Sequence, residues 1–221
     1  MIDSVVLVSG GMDSAVTAAV AAAKGACAFL HVNYGQRTEG RELAAFTAIA
    51  DFYRVKTRLV ADIGYLKAIG GSALTDKRIK VPIGRLLKKG VPITYVPFRN
   101  AHLLSIAVSW AEVVGARNIY IGAVEEDSSG YPDCCAAFFN AFEKMVALGT
   151  AFKPRIRIKT PLIALRKSQI IRKGARFGAP LHLTWSCYKE SKAACGECDS
   201  CLLRLRGFKE AGVVDPIQYR R

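Results

Sequence analysis

The sequence predicts an α/β fold: a doubly wound, mostly parallel sheet of Rossmann-like type, followed by a small cysteine-bearing segment. Three observations predict it. Short apolar runs alternate with helical runs along most of the chain; the first strand and helix are joined by a tight glycine turn; and 221 residues of 51% hydrophobic content suit one α/β domain better than two. In order, Ser4 to Val8 reads as a strand buried on both faces, and Ala15 to Ala23 as a helix of strong formers closed by Lys24 and Gly25. Ala26 to Val32 is a second strand, Thr38 to Tyr53 a helix and Lys56 to Val60 a third strand. Residues 64–96, punctuated by Gly70, Gly71, Pro82, Gly84, Gly90 and Pro92, read as an irregular, partly mobile excursion, of the kind that beside a nucleotide site often closes over substrate. Asn100 to Val114 is an apolar helix stopped by Gly115, Asn118 to Val124 a buried strand and Ala136 to Leu148 a helix. Arg155 to Lys159 is a strand, Arg166 to Phe177 a basic helix, and Leu202 to Phe208 a last helix. The expected division is residues 1–180 as the main domain and 181–221 as the accessory segment.

The turn Ser9-Gly10-Gly11-Met12-Asp13-Ser14 is the first functional signal. Its glycines let backbone approach a ligand closely, its serine hydroxyls can donate, and the free amides of the following helix favour an anion. A Walker A loop would place Lys and Ser or Thr after the second glycine, and none occurs in the chain. A three-glycine dinucleotide fingerprint is also missing from this turn. As a generic Gly-Gly turn it would merely cap a helix, but the whole hexapeptide at a first βα turn resembles the pyrophosphate loop of the ATP pyrophosphatases.

The second signal is Cys187 with Cys195, Cys198 and Cys201. Four thiolates at this spacing suit tetrahedral zinc, and a filled sphere leaves no open position for reactive water, so the metal is expected to be structural. Disulfides disagree with an intracellular setting. The run imitates part of an iron–sulfur motif but lacks the proline after its last cysteine. Cys27 reads as a buried strand residue. The third signal, Ser129 to Cys134, together with Glu125, Glu126 and Asp127, follows a strand, and in an open α/β sheet such loops face the ligand crevice. Carboxylates there could hold magnesium or accept from an amino-pyrimidine edge, although Gly, Pro and Asp also make ordinary turns.

The chain carries no basic, apolar leader pattern and no stretch of 18 uninterrupted apolar residues, so a cytoplasmic, membrane-free protein is expected. Its net charge of +14 is compatible with nucleic acid. The basic residues are spread rather than gathered, however, and a cleft for a polyanionic nucleotide also benefits from them.

Taken together, the Ser9 to Ser14 loop, His31-Val32-Asn33-Tyr34-Gly35-Gln36-Arg37, Tyr95 to Asn100, Ser129 to Cys134, Thr160-Pro161-Leu162 and Leu183 to Cys201 resemble, in the same order, the 7-cyano-7-deazaguanine synthase family. The resemblance implies an adenine nucleotide alpha hydrolase type of fold and a homodimer. It also implies a ligase that converts 7-carboxy-7-deazaguanine and ammonia to the nitrile with two ATP, releasing AMP and diphosphate. It assigns ATP to Val8, Ser9, Gly10, Gly11, Met12, Asp13, Ser14, Ala15, Val16, Thr17 and Ala18, with Mg2+ accompanying it and one structural Zn2+ on the four cysteines. Asp13, Ser14 and Lys167 are the expected catalytic residues, Arg99 and Lys167 candidate further phosphate contacts, and Arg99, Glu125, Asp127, Tyr131 and Asp133 the expected substrate contacts. The chain departs from the pattern at Phe98, Ser128 and Cys135, the last two of which would weaken stacking and charge pairing if they faced the substrate. A relative stopping at the amide, a tRNA-modifying enzyme and a non-enzymatic zinc-knuckle module are the alternatives.

Overall fold

A computed structural model of the chain describes residues 1–84, 90–125, 130–151 and 155–220. Five parallel strands run in the order β3-β2-β1-β4-β5, with β1 Ser4–Leu7, β2 Cys27–Asn33, β3 Arg58–Asp62, β4 Asn118–Tyr120 and β5 Arg157–Lys159. The helices are α1 Met12–Ala22, α2 Glu39–Phe52, α3 Tyr65–Ile69, α4 Arg99–Val114, α5 Ala136–Gly149, α6 Lys167–Arg176 and α7 Asp199–Ala211. Central β1 alternates its side chains between two cores. Val5 and Leu7 pack with Leu104, Ala107, Phe139 and Phe142 of α4 and α5, while Val6 and Val8 pack with Ala15, Ala18, Phe46 and Ile49 of α1 and α2. The doubly wound sheet expected from the alternation is therefore present, and Cys27 is buried at the start of β2.

Two departures from the sequence reading have local causes. The strand expected over Asn118 to Val124 pairs only through Tyr120, because β5 ends at Lys159 and the chain beyond it leaves the ladder after Ile121 N–H bonds the Lys159 carbonyl. The excursion 64–96 contains the short helix α3, whose single buried side chain, Leu66, is too little for a periodic signal. Arg37 fastens that excursion, donating to the carbonyls of Ala73 (2.6 Å), Asp76 (2.8 Å) and Ile79 (2.6 Å). Further along, Gly84 lies against Asp199 and Leu202 of α7, and Gly90 against Gly130.

Residues 181–220 are fastened by a buried ion pair. Arg204, 1% exposed, grips Asp215 through both oxygens at 2.7 and 2.9 Å. It also donates to Thr184 Oγ1 and the Leu181 carbonyl and lies over the Phe208 ring. Among the described residues, no helix is long and apolar enough to cross a membrane.

Candidate active site

The sheet order changes direction between β1 and β4, and the loops following these two strands meet at that point, as expected of a ligand crevice in an open α/β sheet. A cleft of about 390 Å³ opens there. Gly122, just beyond β4, lies so close to the first turn of α1 that an added Cβ would sit 2.9 Å from the Asp13 carbonyl and the Ser14 amide. Gly10 has φ +87°, and a Cβ on it would meet the Glu42 carbonyl at 2.5 Å, so both the turn and its seat on α2 require glycine. Inside the turn, Ser9 Oγ receives the Gly11 amide (3.2 Å) and reaches Ser14 Oγ (3.2 Å), which bonds the Gly11 carbonyl (2.9 Å). Both serines thus face one another across the loop, and the α1 amides behind them remain oriented toward the cleft.

Lys167 opens α6 and is 92% buried, yet its Nζ reaches both oxygens of Asp13 at 3.0 and 2.9 Å. The pair sets an ammonium beside the anion cradle. Val8, Ser9, Gly11, Met12, Asp13, Ser14 and Lys167 line the cleft. Ala15, Val16, Thr17 and Ala18 continue α1 into the core, fully buried.

The expected substrate residues separate. Arg99 and Tyr131 line the cleft. Asp133 is buried and binds the start of α4, its Oδ2 accepting from Asn100 N–H (2.8 Å) while its carbonyl accepts from Asn100 Nδ2 (2.7 Å). Glu125 is exposed and its carboxylate accepts from the first amide of α5, Ala136 (3.3 Å). Glu126, Asp127, Ser128 and Ser129 lie outside the described residues. Cys134 lines the cleft, whereas Cys135 sits at the N-cap of α5 with its thiol toward the Pro132 carbonyl. Phe98 is 58% exposed and holds φ +56°, a left-handed conformation that a bulky side chain adopts only under strain.

Besides Arg99 and Tyr131, which the sequence reading named, the cleft holds Tyr34, Tyr188 and Glu42, to which it assigned no role. Tyr34, Tyr131 and Tyr188 surround Arg99: the Tyr34 ring lies under its guanidinium at 5.4 Å, and Tyr131 bonds Thr94 Oγ1 at 2.7 Å. Burial pushes the Tyr34 phenol up to about 12 and raises Tyr131 and Tyr188 as well, so all three remain protonated donors. Glu42 accepts from Thr38 Oγ1 (2.7 Å) and Gln36 Nε2 (3.2 Å), and burial raises its carboxyl above the ordinary 4.5. The string His31 to Arg37 was the available signal for Tyr34 and Gln36, but only the fold shows that its side chains turn into the cleft.

The Sγ atoms of Cys187, Cys195, Cys198 and Cys201 all lie within 4.8 Å of one another, with Cys195 and Cys201 at 3.9 Å. Thiolates bound tetrahedrally at about 2.3 Å stand roughly 3.8 Å apart, so the cluster fits a metal such as zinc. Backbone amides of Lys189, Glu190 and Cys195 point at the Cys187 sulfur at 3.3 to 3.4 Å. Hydrogen bonds from Cys198 and Cys201 hold Cys187 far below its ordinary range, while the same contact raises Cys198 to about 12 and pushes Cys201 up. A cation bound among the four sulfurs would favour their thiolate form. Trp185, Ala194 and Ala45 of α2 pack around the cysteines. From there Trp185 N–H reaches back to the Gly10 carbonyl at 2.8 Å, and Arg41 lies over the Trp185 ring at 4.5 Å.

The profile of the family described as "Queuosine biosynthesis protein QueC" matches residues 3–212. The 7-cyano-7-deazaguanine synthase of Chloroherpeton thalassium is 56% identical over 218 residues, covering 98% of this chain and 96% of the relative. That of Koribacter versatilis is 56% identical over 220 residues, covering 98% and 92%. Among solved structures, the NMN synthetase of Francisella tularensis superposes with TM-score 0.49 at 17% identity, covering 96% of this chain and 73% of that one.

Proposed function

The chain belongs to the QueC family of queuosine biosynthesis ligases, which form carbon–nitrogen bonds, and we propose that it converts 7-carboxy-7-deazaguanine, ammonia and ATP to 7-cyano-7-deazaguanine. The observation that carries this reading is the Ser9 to Ser14 cradle with the Lys167–Asp13 pair beside it. It offers amides, hydroxyls and an ammonium to a leaving pyrophosphate.

The steps follow from what a carboxylate requires. Its oxide is a poor leaving group, so a carboxylate oxygen attacks the α-phosphorus of ATP and pyrophosphate departs. Ammonia adds to the acyl adenylate, a proton is lost and AMP leaves, giving the amide. The amide oxygen then attacks a second ATP; loss of two N–H protons and AMP leaves the nitrile. The loop amides and Lys167 meet the charge that develops on pyrophosphate in both halves, so positioning and electrostatics supply the catalysis. Magnesium, when bound with ATP, would screen the phosphate charge, and Asp13, Glu42 and Asp199 are the cleft carboxylates among the described residues that could hold it. Zinc on the four cysteines would act by holding residues 181–221 against the main domain.

Two further readings accompany this one. A homodimer would cover Val113, Met145 and Leu148, which are 83%, 53% and 89% exposed on α4 and α5. A cytoplasmic location suits a four-cysteine cluster that must stay reduced to hold a metal. Incubation with 7-carboxy-7-deazaguanine, ammonium, ATP and magnesium should give the nitrile by mass spectrometry, with AMP and pyrophosphate. Accumulation of the amide alone would mark a relative that stops halfway. Pyrophosphate release on tRNA but not on the deazaguanine would overturn the proposal.

A further inference from the structure

We propose that Arg99 is the anchor for the substrate's carboxylate, engaged in the first half of the reaction and without an anionic partner in the second. The inference rests on the carboxylate-to-nitrile reading above.

A guanidinium carries five N–H donors in a rigid fork, and in a partly desolvated wall it calls for an anion. Arg99 lines the cleft with almost none of that demand met. Its contacts are long ones, 3.4 Å to the Tyr34 hydroxyl and 3.3 Å to Asn100 Oδ1, and its Nε is shut off from solvent with no acceptor. Among the described residues no carboxylate pairs with it. Asp133 is the nearby acid, and that carboxylate holds the Asn100 amide instead. Burial works against the charge, but the nearby Asp133 carboxylate favours it, and Arg99 stays protonated. The walls around it are the protonated phenols of Tyr34, Tyr131 and Tyr188, which can donate but bring no counter-charge.

A planar carboxylate matches this fork through two parallel hydrogen bonds. An amide offers one acceptor oxygen and no charge. Arg99 therefore distinguishes the two successive substrates of one active site, whereas the Ser9 to Ser14 loop and Lys167 treat them alike because both react with the same nucleotide.

The test compares 7-carboxy- and 7-amido-7-deazaguanine as substrates for the wild type, Arg99→Gln and Arg99→Lys, with thermal melting to verify folding. Loss of the charged fork should lower kcat/KM for the carboxylate on the order of 100-fold, mostly through KM. For the amide the loss should be at least tenfold smaller, on the order of 10-fold or less. Arg99→Lys, which keeps charge but not the fork, should recover part of the carboxylate activity and none of the amide's. Equal losses on both substrates would place Arg99 on the nucleotide phosphates and overturn the proposal, as would wild-type activity in both variants. A wild type inactive on both compounds would instead overturn the functional reading.

Discussion

Replacing Asp215 by Asn is the sharpest test of how the accessory segment is held. Asp215 is the partner of a guanidinium that is 1% exposed, and its oxygens accept four bonds: two from Arg204 at 2.7 and 2.9 Å, one from the Tyr219 hydroxyl at 2.7 Å and one from the Ile217 amide at 3.2 Å. The amide keeps the shape, but one acceptor becomes a donor facing a donor, and the Arg204 charge loses its compensation. Breaking a buried pair on one side costs about 3–5 kcal/mol. In a chain of this size each kcal/mol shifts melting by about 2–4 °C, so a fall of roughly 6–20 °C is expected by calorimetry. The double variant Arg204→Met/Asp215→Leu should recover about half of that loss, because no charge is left buried. A single-variant drop below about 3 °C, or a double variant no better than the single, would refute the reasoning.

Gly122→Ala should push the first turn of α1 outward, since the new Cβ meets Asp13 and Ser14 backbone at 2.9 Å; pyrophosphate release falls about 100-fold while melting falls by only a few degrees. Because the folded carboxyl of Glu42 titrates above 4.5, the native state binds the extra proton and its stability falls as pH rises past that value. The melting temperature of Glu42→Gln, relative to wild type, should therefore increase over that range, and a flat difference would count against it. Metal analysis should find a single zinc per chain, and Cys201→Ser or a strong chelator should expose residues 181–221 to protease while β1 to β5 stay resistant.

The strands, the principal helices, the glycine loop and the cysteine spacing were legible because each is written in neighbouring residues: β-branched runs, helix formers, and cysteines with two residues between them. What was illegible depends on distance along the chain. Arg204 and Asp215 read as surface charges until the fold buries them together. Asp133 reads as a crevice carboxylate, yet α4 arrives from the other side of the sequence and takes its oxygen. Tyr34, Tyr131 and Tyr188 are three isolated tyrosines in sequence and one wall in space. Phe98 could be noticed as unusual, but the reason, a left-handed backbone at the start of α4, is conformational.

The bond from the Trp185 amide to the Gly10 carbonyl joins nearly opposite ends of the chain at the glycine loop. During translation the loop leaves the ribosome among the first residues, but its last tether emerges some 170 residues later. The nascent protein can lay down β1, α1 and β2 early, yet it cannot complete the cradle until the cysteine segment has been made and folded. A chain in which residues 181–220 have not yet folded would therefore carry its sheet already formed but a glycine loop without this bond.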